Sequence, residues 1–233
     1  MNYIDVKNKD FSPLIEYFEQ AFYLFWENDA ELIKWNNIEQ TMVARIFLYL
    51  NKLIEESKDP FFKENKYYVD MEYARNRANN LSANYTKTLK DEDGNVRFDI
   101  IIHSRGQIPY QEDLKISLDN LLHIEVKKDK WNKHNDSIID NISEMTEVDK
   151  QEEVSINSHL SDCIRLSMTT KQPDKHEKTD LKTGLLRNIL GYQYGIFLTG
   201  LKKNTKPEYR LFRDGKMIEV KSFNKQNIKF NNK

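Results

Sequence analysis

Four side chains in this chain carry types and spacings that could do chemistry: Glu39, Asp99, Glu125 and Lys127. Asp99 interrupts the apolar run Val96-Arg97-Phe98-Asp99-Ile100-Ile101-Ile102-His103, and Glu125 interrupts Leu121-Leu122-His123-Ile124-Glu125-Val126-Lys127-Lys128. An ionised carboxylate among buried strand residues is costly unless it is paired or bound to a metal. Lys127 follows Glu125 by two positions, so strand geometry puts both on one face. Glu39 begins a third segment, Asn37-Ile38-Glu39-Gln40-Thr41-Met42-Val43-Ala44-Arg45. This order of acids and a base is the one that metal-dependent phosphodiester hydrolysis requires.

The elements that must position these groups follow from periodicity. Ser12-Pro13 reads as the start of a helix carrying Leu14, Phe18, Ala21, Phe22 and Phe25, ending near Asn28-Asp29. A second helix is expected from Asn37, with Gln40 as a capping-box partner and an apolar face of Val43, Ile46, Phe47, Leu50 and Ile54. Glu39 lies on that stripe, four residues before Val43. A strand over 67–73 puts Tyr68, Asp70 and Glu72 on one face. The turn cluster Asp91-Glu92-Asp93-Gly94-Asn95 suggests a hairpin with the strand that carries Asp99. In that second strand Asp99 shares a face with Arg97, Ile101 and His103. In the third, Glu125 shares one with Leu121, His123 and Lys127.

Residues 129–157 are polar and acidic and read as an insertion, helical around Ile138 to Met145. A helix over 158–169 turns Leu160, Cys163, Ile164 and Met168 inward, and a buried strand spans 194–199. An edge hairpin over 209–218 turns at Asp214-Gly215. A basic tail follows Lys221.

Composition bounds the rest. The 233 residues suit a single domain, with a core over about 37–200, an N-terminal helical extension over 1–36 and a basic C-terminal extension over 200–233. Net charge is −1, but residues 200–233 carry ten Lys/Arg against three Asp/Glu, leaving the remainder near −8. Acidic clusters of that kind recruit cations. The sole cysteine, Cys163, forms no intrachain disulfide and fits a reducing cytoplasm. The N-terminal residues do not read as a signal peptide, and no apolar run approaches membrane-spanning length. A cytoplasmic protein without membrane partners is expected.

The order helix, three strands, helix, strand, with Glu39 on the helix, Asp99 on strand two and Glu125-Val126-Lys127 on strand three, resembles the PD-(D/E)XK nuclease superfamily. Phe98 stands where the name motif has proline. The segments 68–73 and 101–106 also resemble a bacterial subgroup of mostly uncharacterised members. The resemblance implies a restriction-endonuclease-like, three-layer α/β fold with a mixed central sheet flanked by helices. It also implies a Mg²⁺-dependent endonuclease acting on nucleic acid, DNA foremost, with Mn²⁺ able to substitute. Asp99 and Glu125 would be metal ligands, with the Val126 carbonyl as a third. Glu39 would bind a second metal or hold a metal-bound water. Lys127 would position or deprotonate the attacking water, or stabilise the transition state. Burial beside the metal would lower its pKa. A homodimer is compatible with this reading.

Each residue also has a plainer role open to it. Glu125 and Lys127 could form an ordinary cross-strand pair, Asp99 could cap a turn or pair with Arg97, and Glu39 could stabilise a helix N-terminus. Glu72 could enter the site or pair with Arg75 or Arg105, with the pair favoured. His103 and His123 fit satisfied core or rim residues. Asp162 and Arg165 could form a support shell or a solvated helix face. Two alternatives compete with the enzyme: a catalytically silent nucleic-acid-binding protein on the same fold, and a protein-interaction component of a defence or mobile-element system. An intact Asp/Glu/Lys set weighs against silence.

Overall fold

The computed structural model describes residues 11–35, 37–59, 61–62, 66–73, 75–77, 84–86, 98–105, 107–108, 118–141, 158–170 and 191–224. The expected turn at 91–95, most of the 129–157 segment after residue 141, and the tail after residue 224 lie outside them.

Helix α1 spans Pro13–Lys34 and buries the five expected residues Leu14, Phe18, Ala21, Phe22 and Phe25. It runs past Asn28-Asp29 because that dipeptide is absorbed into the helix rather than ending it. The Asn28 amide donates to the Leu24 carbonyl at 2.8 Å. Asp29 accepts Tyr49 Oη at 2.7 Å and pairs with Arg45 at 2.9 Å. Helix α2 spans Glu39–Glu55 and buries Met42, Val43, Ile46, Leu50 and Ile54. The expected cap at Asn37 is not formed. Asn37 Oδ1 accepts the N–H of Ile38 at 3.0 Å, Ile38 is extended, and the helix opens on Glu39 without a side-chain cap.

Among the described residues, six strands form the main sheet: β1 (Tyr68–Tyr73), β4 (Phe98–His103), β5 (Asn120–Val126), β6 (Tyr194–Thr199), β7 (Glu208–Arg213) and β8 (Lys216–Ser222), in the order β1-β4-β5-β6-β7-β8. Only β5 and β6 run parallel; the other neighbours are antiparallel. The strands at 68–73 and 98–103 are antiparallel neighbours. A separate two-stranded ribbon, β2 (Arg75–Arg77) with β3 (Asn84–Thr86), intervenes in sequence. The β7–β8 turn falls at Asp214-Gly215, both with positive φ (48° and 76°), as a two-residue hairpin on twisted strands requires.

Alternation sends the two faces of the sheet to different helices. Ile100, Ile102, Leu122, Ile124, Val126, Ile196, Leu198, Tyr209 and Leu211 join α1 and α2 in the larger core. On the other face Phe197 and Phe212 pack with Trp131, Ile139 of α3 (Asp136–Asp140), and Leu160, Cys163, Ile164 and Leu166 of α4 (Ser158–Thr170). Helix α4 rides directly on β6: a Cβ on Gly195 would come within 2.9 Å of Leu166 Cδ2. The result is an α/β molecule with helices on both faces of a mixed sheet. Helix α1 belongs to the core, and β7 and β8 extend the sheet past residue 200.

The first part of the 129–157 segment is more deeply built in than its polarity suggests. Trp131 is buried, its indole N–H donates to Asp136 Oδ1 at 2.6 Å, and the Arg210 guanidinium lies 3.8 Å over its ring. Charge patterning hid this, because the packing residues are single apolar positions among lysines. Among the described residues, no helix is long and apolar enough to cross a membrane.

Candidate functional site

The site lies where β4 begins and β5 ends, beside the N-terminus of α2. β4 and β5 pair antiparallel, with Ile100 opposite Ile124, so Asp99 at the start of one comes beside Glu125 and Val126 at the end of the other. Asp99 Oδ2 accepts the Val126 N–H at 2.8 Å. The Glu125 charge bears directly on the Asp99 carboxyl. Glu125 and Lys127 both face α4. Arg165 approaches Glu125 Oε1 at 3.6 Å and binds Asp162 Oδ1 at 2.8 Å, while Lys127 Nζ lies 3.2 Å from Asp162 Oδ2. Asp162 and Arg165 therefore support the cluster rather than forming a solvated face.

Glu39 reaches the cluster from the other side of the sheet. Its Oε2 accepts the Lys128 N–H at 2.8 Å, and its Oε1 lies 3.7 Å from Lys127 Nζ. The structure thus gathers Glu39, Asp99, Glu125 and Lys127, with Glu39 engaged by Lys127 and the following peptide. Val126 enters through its N–H.

Electrostatics set the character of the group. Burial, with the Glu125 charge adding to it, pushes the Asp99 carboxyl up to about 8. Burial and the Asp162 charge likewise push the Glu125 carboxyl well above its usual range, against the pull of Arg165, Lys127 and Asp99. Two acids with raised pKa, side by side, are short of positive charge. For Lys127, burial favours the neutral amine, but Asp162, Glu39 and Asp99 outweigh it and the pKa rises. In the metal-free site the attraction of the neighbouring acids, Asp162 and Glu39 foremost, exceeds the desolvation of the ammonium.

His123 completes the site in a way its position in the sequence did not disclose. Its Nε2 lies 2.8 Å from Glu125 Oε1 and its Nδ1 2.9 Å from Thr169 Oγ. With Glu125 ionised, Nε2–H donates to it and Nδ1 accepts the Thr169 hydroxyl proton. With Glu125 protonated, the roles reverse, and the hydroxyl turns to the Leu166 carbonyl 3.2 Å away. The signal for this partner was the spacing of Asp162, Arg165 and Thr169, three and seven residues apart on one helix face. His103 lies at the far end of β4, bound to Asp70 at 2.7 Å, and Arg105 holds the same aspartate from 2.6 Å. Burial opposes ionisation of Asp70, but His103 and Arg105 overcome it and hold its pKa well below the usual range. Arg105 therefore has Asp70 as a partner; the side chain of Glu72 lies outside the described residues.

The donor set decides which cation could fit. Among the described residues, no group of three or more His, Cys, Asp or Glu side chains is placed to hold a metal by side chains alone. A closed zinc cage is therefore not built among the described residues. Mg²⁺ commonly uses one or two carboxylates and completes its shell with water and phosphate oxygens. The Asp99–Glu125 pair fits that hard, water-rich pattern.

No protein-family model, no curated protein and no solved structure matches this chain.

Proposed function

We propose that the protein is a Mg²⁺-dependent endonuclease of restriction-endonuclease-like fold, hydrolysing phosphodiester bonds in nucleic acid, DNA foremost. The observation that carries the reading is the Asp99–Glu125 pair, Glu125 buried and Asp99 partly so, with both pKa values raised and Lys127 within their field. Such an arrangement is costly for stability alone and is relieved by a divalent cation. Asp99 and Glu125 would hold the ion, with the Val126 carbonyl beside them. When bound, it would supply a hydroxide near neutral pH and charge relief at the phosphoryl oxygens.

The chain's own groups divide the remaining work. Lys127, held cationic by its three acids, suits stabilising charge on a non-bridging phosphate oxygen better than abstracting a proton. Asp162 and Glu39 position its ammonium, and Arg165 and His123 fix the Glu125 carboxyl from two directions. Glu39 acts on the ammonium and the Lys128 peptide, with a second cation as its further role.

The test is incubation of pure protein with linear, circular, single-stranded and branched substrates, in Mn²⁺, in Mg²⁺ and in chelator. Cleavage of at least one substrate only with the metal is the expected result. Equal cleavage in saturating chelator would exclude the metal mechanism, and no cleavage of any substrate would favour the silent binding protein.

A further inference from the structure

The corner between α1 and α2 presents an indole to solvent beside the candidate site. Trp35 is 70% exposed, while Trp131 is buried and Trp26 packs partly buried against the core. Its backbone is fixed, because the Trp35 N–H donates to the Glu31 carbonyl at 2.8 Å and the Asn37 N–H to the Leu32 carbonyl at 3.0 Å. The Asn37 carbonyl lies 3.5 Å from Lys128 Nζ, and Glu39, two residues on, touches Lys127 and Lys128. Two residues of chain span at most about 7 Å. The Trp35 backbone therefore stands within about 7 Å of Asn37, whose carbonyl meets the Lys128 ammonium.

The segment that follows β5 and its neighbour are basic. Lys127, Lys128, Lys130 and Lys133 lie on the stretch leaving β5, and Lys202, Lys203 and Lys206 on the loop leaving β6. The two are tied together: the Gly200 N–H donates to the Asp129 carbonyl at 3.0 Å, and Lys202 pairs with the Asp129 carboxylate at 3.0 Å. Lys130 and Lys203 are exposed. Seven lysines thus lie on the two segments that leave the carboxyl ends of the parallel pair β5 and β6, in a chain of net charge −1. A phosphate backbone matches lysine loops, and an exposed indole next to them matches the face of an unpaired base.

We infer that Trp35 stacks a nucleobase of the substrate while the 127–133 and 200–206 loops hold its backbone, so that the preferred substrate has unpaired bases beside the bond to be cut. The inference rests on the endonuclease reading only for where that bond lies; the binding itself is independent of metal and of turnover. A base held in a duplex is stacked on its neighbours and has no free face for the indole, so duplex would engage the lysine loops alone.

The experiment is a fluorescence titration in chelator, with oligothymidylate or a duplex of equal length as the probe. Indole quenching is expected with the single strand and not with the duplex. Trp35→Ala should abolish the quenching and weaken single-strand binding about ten- to hundredfold, with duplex affinity within about twofold of wild type. Trp35→Phe should recover most of the loss. Lys130→Glu with Lys203→Glu should weaken both probes and flatten the salt dependence. Single-strand affinity unchanged in Trp35→Ala, or equal losses on both probes, would overturn the inference. Metal-dependent cleavage by the same preparations keeps the two readings apart. Cleavage that persists with no stacking effect removes Trp35 from the substrate path and leaves the endonuclease standing. Stacking without cleavage does the opposite.

Discussion

Relative to wild type, replacing Asp99 by Asn should stabilise the metal-free protein increasingly as pH rises, an unusual outcome for a substitution next to a buried core. The carboxyl of a free Asp titrates near 3.9, and in the fold it is pushed up to about 8. A raised folded pKa means that the fold favours the protonated acid. The benefit is complete below about pH 4 and is lost as pH rises toward 8. Each unit is worth about 1.4 kcal/mol, so three units between pH 5 and pH 8 set an upper bound of about 4 kcal/mol. Asp99 and Glu125 share the field that raises both, and roughly half of that bound, about 2 kcal/mol, is the reasonable expectation. Asparagine keeps an acceptor for the Val126 N–H and carries no charge, so the variant should show little pH dependence from this position. Urea unfolding of wild type and Asp99→Asn, in chelator at pH 5 and pH 8, measures it. The advantage of the variant should grow by about 2 kcal/mol between pH 5 and pH 8. An advantage that does not grow over that range would refute the reasoning, because the ionised carboxylate would then be satisfied by its own neighbours.

Other outcomes follow from the same geometry. Asp99→Ala or Glu125→Ala should abolish metal-dependent cleavage while leaving nucleic-acid binding in chelator intact, measured on one preparation. Lys127→Ala should lower the single-turnover rate on the order of a hundredfold with substrate still bound, the range of a positioned charged group; a wild-type rate at saturation would make Lys127 a binding residue. Phe22→Ala should cost about 3–5 kcal/mol in urea unfolding, since Phe22 is fully buried and stacks 4.0 Å from Phe223, joining α1 to the C-terminal side of the sheet; a loss below about 1 kcal/mol would mean that α1 is only loosely attached.

Much of the frame could be read from residue patterns because the patterns were strong. The five buried positions of α1 recur at helical spacing, and β5 and β6 are apolar runs too short for helices. Asp99 and Glu125 stood out because a carboxylate within such runs contradicts its surroundings. What escaped were features set by contacts distant in sequence. Asn28-Asp29 has the composition of a helix stop, yet Tyr49 and Arg45 of α2 consume the Asp29 carboxylate and the helix continues. Trp131 sits in a lysine-rich stretch, and only the fold brings Arg210 over it. The sign of the Lys127 shift depended on how many acids surround it: Asp162 comes from a helix 35 residues further on, and no local pattern couples the two. His123 was visible as a strand histidine, but its bond to Glu125 needed the rotamer and Thr169 behind it.

The most direct measurement is calorimetric titration of Mn²⁺ into wild type and Glu125→Gln at pH 7, in two buffers of different protonation enthalpy. Ions that bind at a pair of acids whose pKa values are both raised must displace protons, so wild type should bind with release of about one to two protons per ion at pH 7. Its affinity should rise with pH between 6 and 8, and Glu125→Gln should show no binding at this site. Binding without proton release, or binding undiminished in Glu125→Gln, would contradict the assignment of Asp99 and Glu125 as the cation site.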